Sequence, residues 1–80
     1  MDNNLKLLEI ISSVLEIDQT KINDATSPEN TDTWDSFNAL VLASELEDGF
    51  DVSFTIEEVE GVTCVLDIKK CLKNHGILIE

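Results

Sequence analysis

Residues 34–50 read Trp-Asp-Ser-Phe-Asn-Ala-Leu-Val-Leu-Ala-Ser-Glu-Leu-Glu-Asp-Gly-Phe, and this stretch decides the fold. From a start at Asp35 or Ser36, the apolar residues Phe37, Leu40, Val41, Leu42, Ala43 and Leu46 recur with the period of an amphipathic helix that runs toward Gly49 and Phe50. Residues 39–43 are wholly apolar, more than one core-facing stripe requires. Part of that face is expected to meet a partner, a cavity or a neighbouring helix, with burial in a crowded bundle as the plainer account.

Working outward, Leu5, Leu8, Ile11 and Leu15 recur at three- and four-residue spacing, widened by Leu7, Ile10 and Val14. They predict a first helix over about residues 4–16, with the preceding Asp2 and Asn3 available as caps. Between the two helices the pattern dissolves into polar residues around the only proline, Pro28, a long loop in which Ile17, Ile22 and Trp34 are expected to tuck under and pin the chain. Downstream, Thr55-Ile56-Glu57-Glu58 fits a capping box with Phe54 and Val59 as a hydrophobic staple, which predicts a short third helix ended by Gly61. A last helix opens with Thr63 as its cap, buries Val65, Ile68 and Leu72, and ends in Lys69, Lys70, Lys73 and His75. Gly76 is its left-handed stop, and Ile77 folds back on the last turn. No stretch alternates long enough for a strand. The fold class is therefore all-α: an antiparallel four-helix bundle with a long first loop and a short third helix, one domain over residues 1–80. Its core comprises Leu8, Ile11, Leu15, Leu42, Leu46, Phe50, Val65, Ile68 and Leu72.

Composition narrows the function. With 80 residues there is no length for a deep catalytic cleft. Hydrophobic residues are 42% but aromatics only 5%, so Leu, Ile and Val must build the core. Seventeen acidic residues against five Lys give a net charge of −12, which repels nucleic acid and anionic membrane surfaces and favours basic patches on other proteins. No apolar run approaches the roughly 20 residues of a membrane span, and the amino terminus lacks a signal-peptide pattern. A cytoplasmic location and a monomer are expected.

Catalytic chemistry has few candidates. The only His, His75, is accounted for by capping and dipole stabilisation at a helix end, and there is no Tyr. Cys64 and Cys71 lie seven positions apart on one helix, too far for a mutual disulfide, and read as buried small hydrophobes in a reducing compartment. They form no zinc-type Cys-x-x-Cys pair. A calcium loop with Gly49 sixth would need ligands at Ser44, Leu46 and Asp48, and Leu46 cannot ligate. No metal centre is expected. What remains is Ser36: an ordinary helix cap on the bland reading, or an anion-linked group, since a helix amino terminus offers free amides and partial positive charge to a phosphate.

Asp35-Ser36 followed by an apolar residue, a helix closing on Glu45-Leu46-Glu47-Asp48-Gly49-Phe50, and Val62-Thr63-Cys64-Val65 opening the last helix resemble the acyl carrier protein family over nearly the whole chain. The resemblance implies a non-enzymatic carrier whose Ser36 is esterified with 4′-phosphopantetheine, taken from coenzyme A by a magnesium-dependent phosphopantetheinyl transferase. It implies that Asp35 helps position that transferase and that Phe37 flanks the arm. The acidic residues Glu45, Glu47, Asp48 and Glu57 would dock basic patches on acyl-activating or acyl-transferring enzymes. Phe37 replaces the family's usual Leu or Met, and Asn38, Leu40 and Val41 stand where carriers of fatty acid synthesis commonly have a carboxylate. The Trp34-Asp35-Ser36 opening is more similar to discrete carriers of polysaccharide or specialised-metabolite pathways such as polyketides. Two alternatives stay open: an aminoacyl, D-alanyl or peptidyl carrier using the same serine, and an acidic helical interaction module without a prosthetic group.

Overall fold

The computed structural model describes residues 3–79. Among them are four α-helices, α1 (Asn3–Leu15), α2 (Ser36–Phe50), α3 (Ile56–Glu60) and α4 (Val65–Asn74), one 3₁₀ turn (Gln19–Lys21) in the long loop, and no strand. The core is a contiguous cluster drawn from α1, the loop, α2 and α4. Burying each Leu, Ile or Val of this kind contributes roughly 1.5–3 kcal/mol relative to exposure.

In α1 the buried stripe is Leu7, Ile11 and Leu15, one residue per turn. Leu8 is only partly buried against the core, which corrects the expected core membership. The helical face is apolar on both sides of the stripe, and contact with α2 selects the line through Leu7. Leu5 points outward at 48% exposure. At Gly49 α2 packs so closely on α1 that a Cβ would lie 2.7 Å from Ile10 Cδ1. Lys6 Nζ covers the Phe50 ring at 5.2 Å from its centroid. Of the expected caps, Asp2 lies outside the described residues and Asn3 is already the first residue of α1.

The loop is pinned as its sequence suggested: Ile22 and Trp34 are buried and Ile17 packs against the core. It also does something the sequence did not announce. The amides of Val65 and Leu66 donate to the carbonyls of Thr26 (2.9 Å) and Asp24 (3.2 Å), so loop backbone satisfies the orphan donors that begin α4. Lys69 adds an ion pair to Asp24 at 2.6 Å. Hence the cap position of α4 falls to Cys64, which makes no side-chain cap bond, and Thr63 is not the cap. Instead the Thr63 amide (3.0 Å) and hydroxyl (2.5 Å) both donate to Asp67 Oδ2, holding the Asp67 carboxyl below its ordinary range.

The short helix matches its motif. Thr55 Oγ1 accepts from the Glu58 amide at 3.1 Å, and Glu58 Oε1 accepts from the Thr55 amide at 2.9 Å. Gly61 ends α3 with φ −78°, so the stop there is not left-handed. Gly76 is left-handed, with φ +85°. Ile77 N–H donates to Leu72 O (2.9 Å) and Gly76 N–H to Lys73 O (3.0 Å), the two bonds of a Schellman closure. Glu16 and Asp51, both at φ 55°, end α1 and α2 in the left-handed region without glycine.

Candidate functional site

The amino terminus of α2 is built from the loop outward. Trp34 is 4% exposed and its amide donates to Thr31 O at 3.0 Å, fixing the chain as it reaches the helix. Asp35 is the N-cap, with Oδ1 accepting from the Asn38 amide at 2.8 Å. The Asn38 side chain reaches back to Thr33 O at 2.6 Å. Ser36 is therefore the first helical residue and not the cap. Its side chain is exposed, and no described residue bonds its hydroxyl. The bland account of Ser36 as a helix cap is thereby removed: Asp35 does that work.

The first two amides of α2, at Ser36 and Phe37, can have no intrahelical acceptor. Together with the helix dipole they suit an anion beside the Ser36 hydroxyl. The residues present thus fit a phosphodiester at Ser36. Phe37 and Leu40 continue outward from it at 72% and 65% exposure, while Ala39, Leu42 and Ala43 turn inward. The wholly apolar run at residues 39–43 divides in this way between solvent, core and cavity.

The cavity measures about 40 Å³ and lies between α2, α3 and α4, walled by Trp34, Ala39, Leu42, Leu46, Phe54 and Val59 among others. Glu58 and Cys71 contribute its polar edge.

The expected docking carboxylates differ in their freedom. Glu45, Asp48 and Glu57 are exposed. Glu47 is half-buried and its Oε2 accepts from the Phe54 amide at 2.8 Å, which ties the α2–α3 connection to α2.

One grouping was not anticipated. Glu58 Oε2 meets His75 Nε2 at 2.7 Å and Cys71 Sγ at 3.4 Å, so α3 and the end of α4 are joined by three side chains. The Thr55 amide, then His75 and Cys71, hold the Glu58 carboxyl down from its ordinary 4.5 to about 2. Since an ionised carboxylate only accepts, His75 Nε2 carries the proton in this bond. Burial first, then Glu58, pushes the Cys71 thiol up to about 11. The Phe54 ring meets the His75 ring edge-on, centroids 5.4 Å apart. Neither cysteine is fully buried as expected; both are partly exposed free thiols. The only signal in the sequence was the one-turn spacing of Cys71 and His75.

Residues 5–72 match the family model of the phosphopantetheine attachment site. The chain belongs to this family. No curated protein matches it. Membership makes the chain a carrier domain with covalently attached 4′-phosphopantetheine, served by a phosphopantetheinyl transferase and by acyl-handling enzymes. Such carriers are non-catalytic, so this carrier is not an enzyme, and the interaction-module alternative without a prosthetic group falls. No helix among the described residues is long and apolar enough to cross a membrane.

Proposed function

We propose that this carrier bears its 4′-phosphopantetheine on Ser36 and carries acyl groups on it as thioesters, presenting them to partner enzymes. The observation that carries this reading is the exposed Ser36 hydroxyl at the first position of α2, released from capping by Asp35. When bound, the group supplies a thiol that holds the acyl chain. The chain's own part is to anchor the phosphate at a helix amino terminus and to hold its cargo at high effective concentration for its partners. Asp35 and Phe37 flank the attachment point, and the first carbons of the cargo are seated in the cavity between α2 and α3.

Partner docking falls to Glu45, Asp48 and Glu57, with Glu47 contributing charge from its fixed position. A net charge of −12 steers these surfaces toward basic patches. The exposed Phe37 and Leu40 add an apolar contact beside the serine. We read the four helices as an antiparallel bundle, one domain over residues 1–80, acting as a cytoplasmic monomer. The absence of an early carboxylate at Asn38, Leu40 and Val41 favours a polysaccharide, polyketide or other specialised pathway over housekeeping fatty acid synthesis.

The cargo is tested by offering the pantetheinylated protein to enzymes that activate fatty acids and to enzymes that activate amino acids, then weighing the products. Acyl thioesters support the reading. Loading by amino acids alone would replace it with an aminoacyl carrier on the same serine.

A further inference from the structure

We propose that Glu58, Cys71 and His75 form a Zn²⁺ site that joins α3 to the end of α4. Among the described residues these three place a carboxylate oxygen, a thiol sulfur and an imidazole nitrogen within 4.8 Å of one another. That donor set is mixed in the way zinc accepts and magnesium or calcium does not, because both prefer oxygen alone.

Two of the three ligand separations are close to what the ion needs, and the third, Cys71 to His75, lies within 4.8 Å. Ligand atoms around tetrahedral zinc lie roughly 3.3–3.8 Å apart, given bonds of about 2.0–2.3 Å. Glu58 Oε2 to Cys71 Sγ is already 3.4 Å, and Glu58 Oε2 to His75 Nε2, at 2.7 Å, must open by well under 1 Å. Two of the ligands share one turn at the end of α4, and the third is aimed by its own motif. Glu58 Oε1 is held by the Thr55 amide at 2.9 Å, leaving Oε2 directed at the other two. The Phe54 ring packs against the His75 ring in a T-shaped contact and helps orient it. Such outer contacts are what orient ligands in zinc sites.

Binding balances as follows. Cys71 loses its thiol proton to solvent and binds as thiolate. His75 binds as the neutral ring, its proton moving from Nε2 to Nδ1 to free the Nε2 lone pair, and Glu58 binds as the carboxylate it already is. Water takes the fourth position. Because binding releases the Cys71 thiol proton, affinity rises with pH. The ion neutralises Glu58 at the cavity edge, which couples the site to the space between α2 and α3.

The test uses the full chain without its arm, reduced and freed of metal, titrated with CoCl₂ in excess magnesium. One equivalent should produce a thiolate-to-cobalt charge-transfer band in the near ultraviolet, displaced by ZnCl₂. The band should vanish in Cys71→Ser and persist in Cys64→Ser, and His75→Gln should weaken binding by at least about tenfold. No band on the parent, or a band that survives Cys71→Ser, overturns the proposal, as does one that requires Cys64. Far-ultraviolet circular dichroism verifies each variant's folding. If Cys71→Ser does not fold, alkylation of the parent decides: zinc must protect Cys71 selectively over Cys64, and equal protection of both overturns the site.

Discussion

Substituting Asp35→Ala and Ser36→Ala separates two roles that adjacent residues could share. Asp35 Oδ1 satisfies the Asn38 amide at 2.8 Å, at a helix end where a negative charge also meets the dipole. Loss of an N-cap costs about 1 kcal/mol, and the dipole raises this to about 1–1.5 kcal/mol. In a domain of this size that lowers Tm by roughly 4–12 °C. Ser36 has no capping bond, and alanine is the better helix former, so Ser36→Ala should change stability by less than about 0.5 kcal/mol. Urea unfolding followed by fluorescence of Trp34, 4% exposed and the only tryptophan, reads both. A loss on Ser36→Ala equal to that on Asp35→Ala would refute the reasoning and return Ser36 to a capping role.

Further outcomes follow from the packing and the charges. Leu7→Ala should cost about 2–5 kcal/mol in the same assay and Leu8→Ala clearly less, because Leu7 is fully buried and Leu8 only partly; equal losses would shift the α1 stripe. Glu16→Gly should raise stability by up to about 1 kcal/mol, since φ 55° strains any residue with a Cβ, and an unchanged or lower Tm would contradict that. Glu58→Gln tests the depressed carboxyl. A folded value near 2 against an ordinary 4.5 means the stabilising contribution is present above about 4.5 and is lost as pH falls toward 2. The stability gap between parent and Glu58→Gln, measured by urea unfolding at each pH, should therefore be widest near neutrality and shrink below pH 4.5; a gap that grew in acid would sink the assignment.

What could be read from the sequence was local. The α2 start, the Thr55–Glu58 capping box and the Gly76–Ile77 closure each depend on residues within a turn of one another, so their spacing specified them. What failed depended on distant chain. The choice between Leu7 and Leu8 is made by α2 across the core, since both fit the helical period. Thr63 had the chemistry of a cap, but loop carbonyls from Asp24 and Thr26, some 40 positions away, reach the α4 amides first. The meeting of Glu58 with Cys71 and His75 needs α3 folded back on the end of α4, and the one-turn spacing of Cys71 and His75 says nothing of Glu58. Asp35 and Ser36 were legible as a pair, while the division of labour between them came from one hydrogen bond.

The most direct test of the central claim is the intact mass of the protein before and after incubation with coenzyme A, magnesium and a broad-specificity phosphopantetheinyl transferase, with Ser36→Ala alongside. A gain of one phosphopantetheinyl group on the parent, absent from the folded variant, is the predicted result. A gain that persists in Ser36→Ala, or no gain on the parent with several transferases, would contradict the assignment of the arm to Ser36.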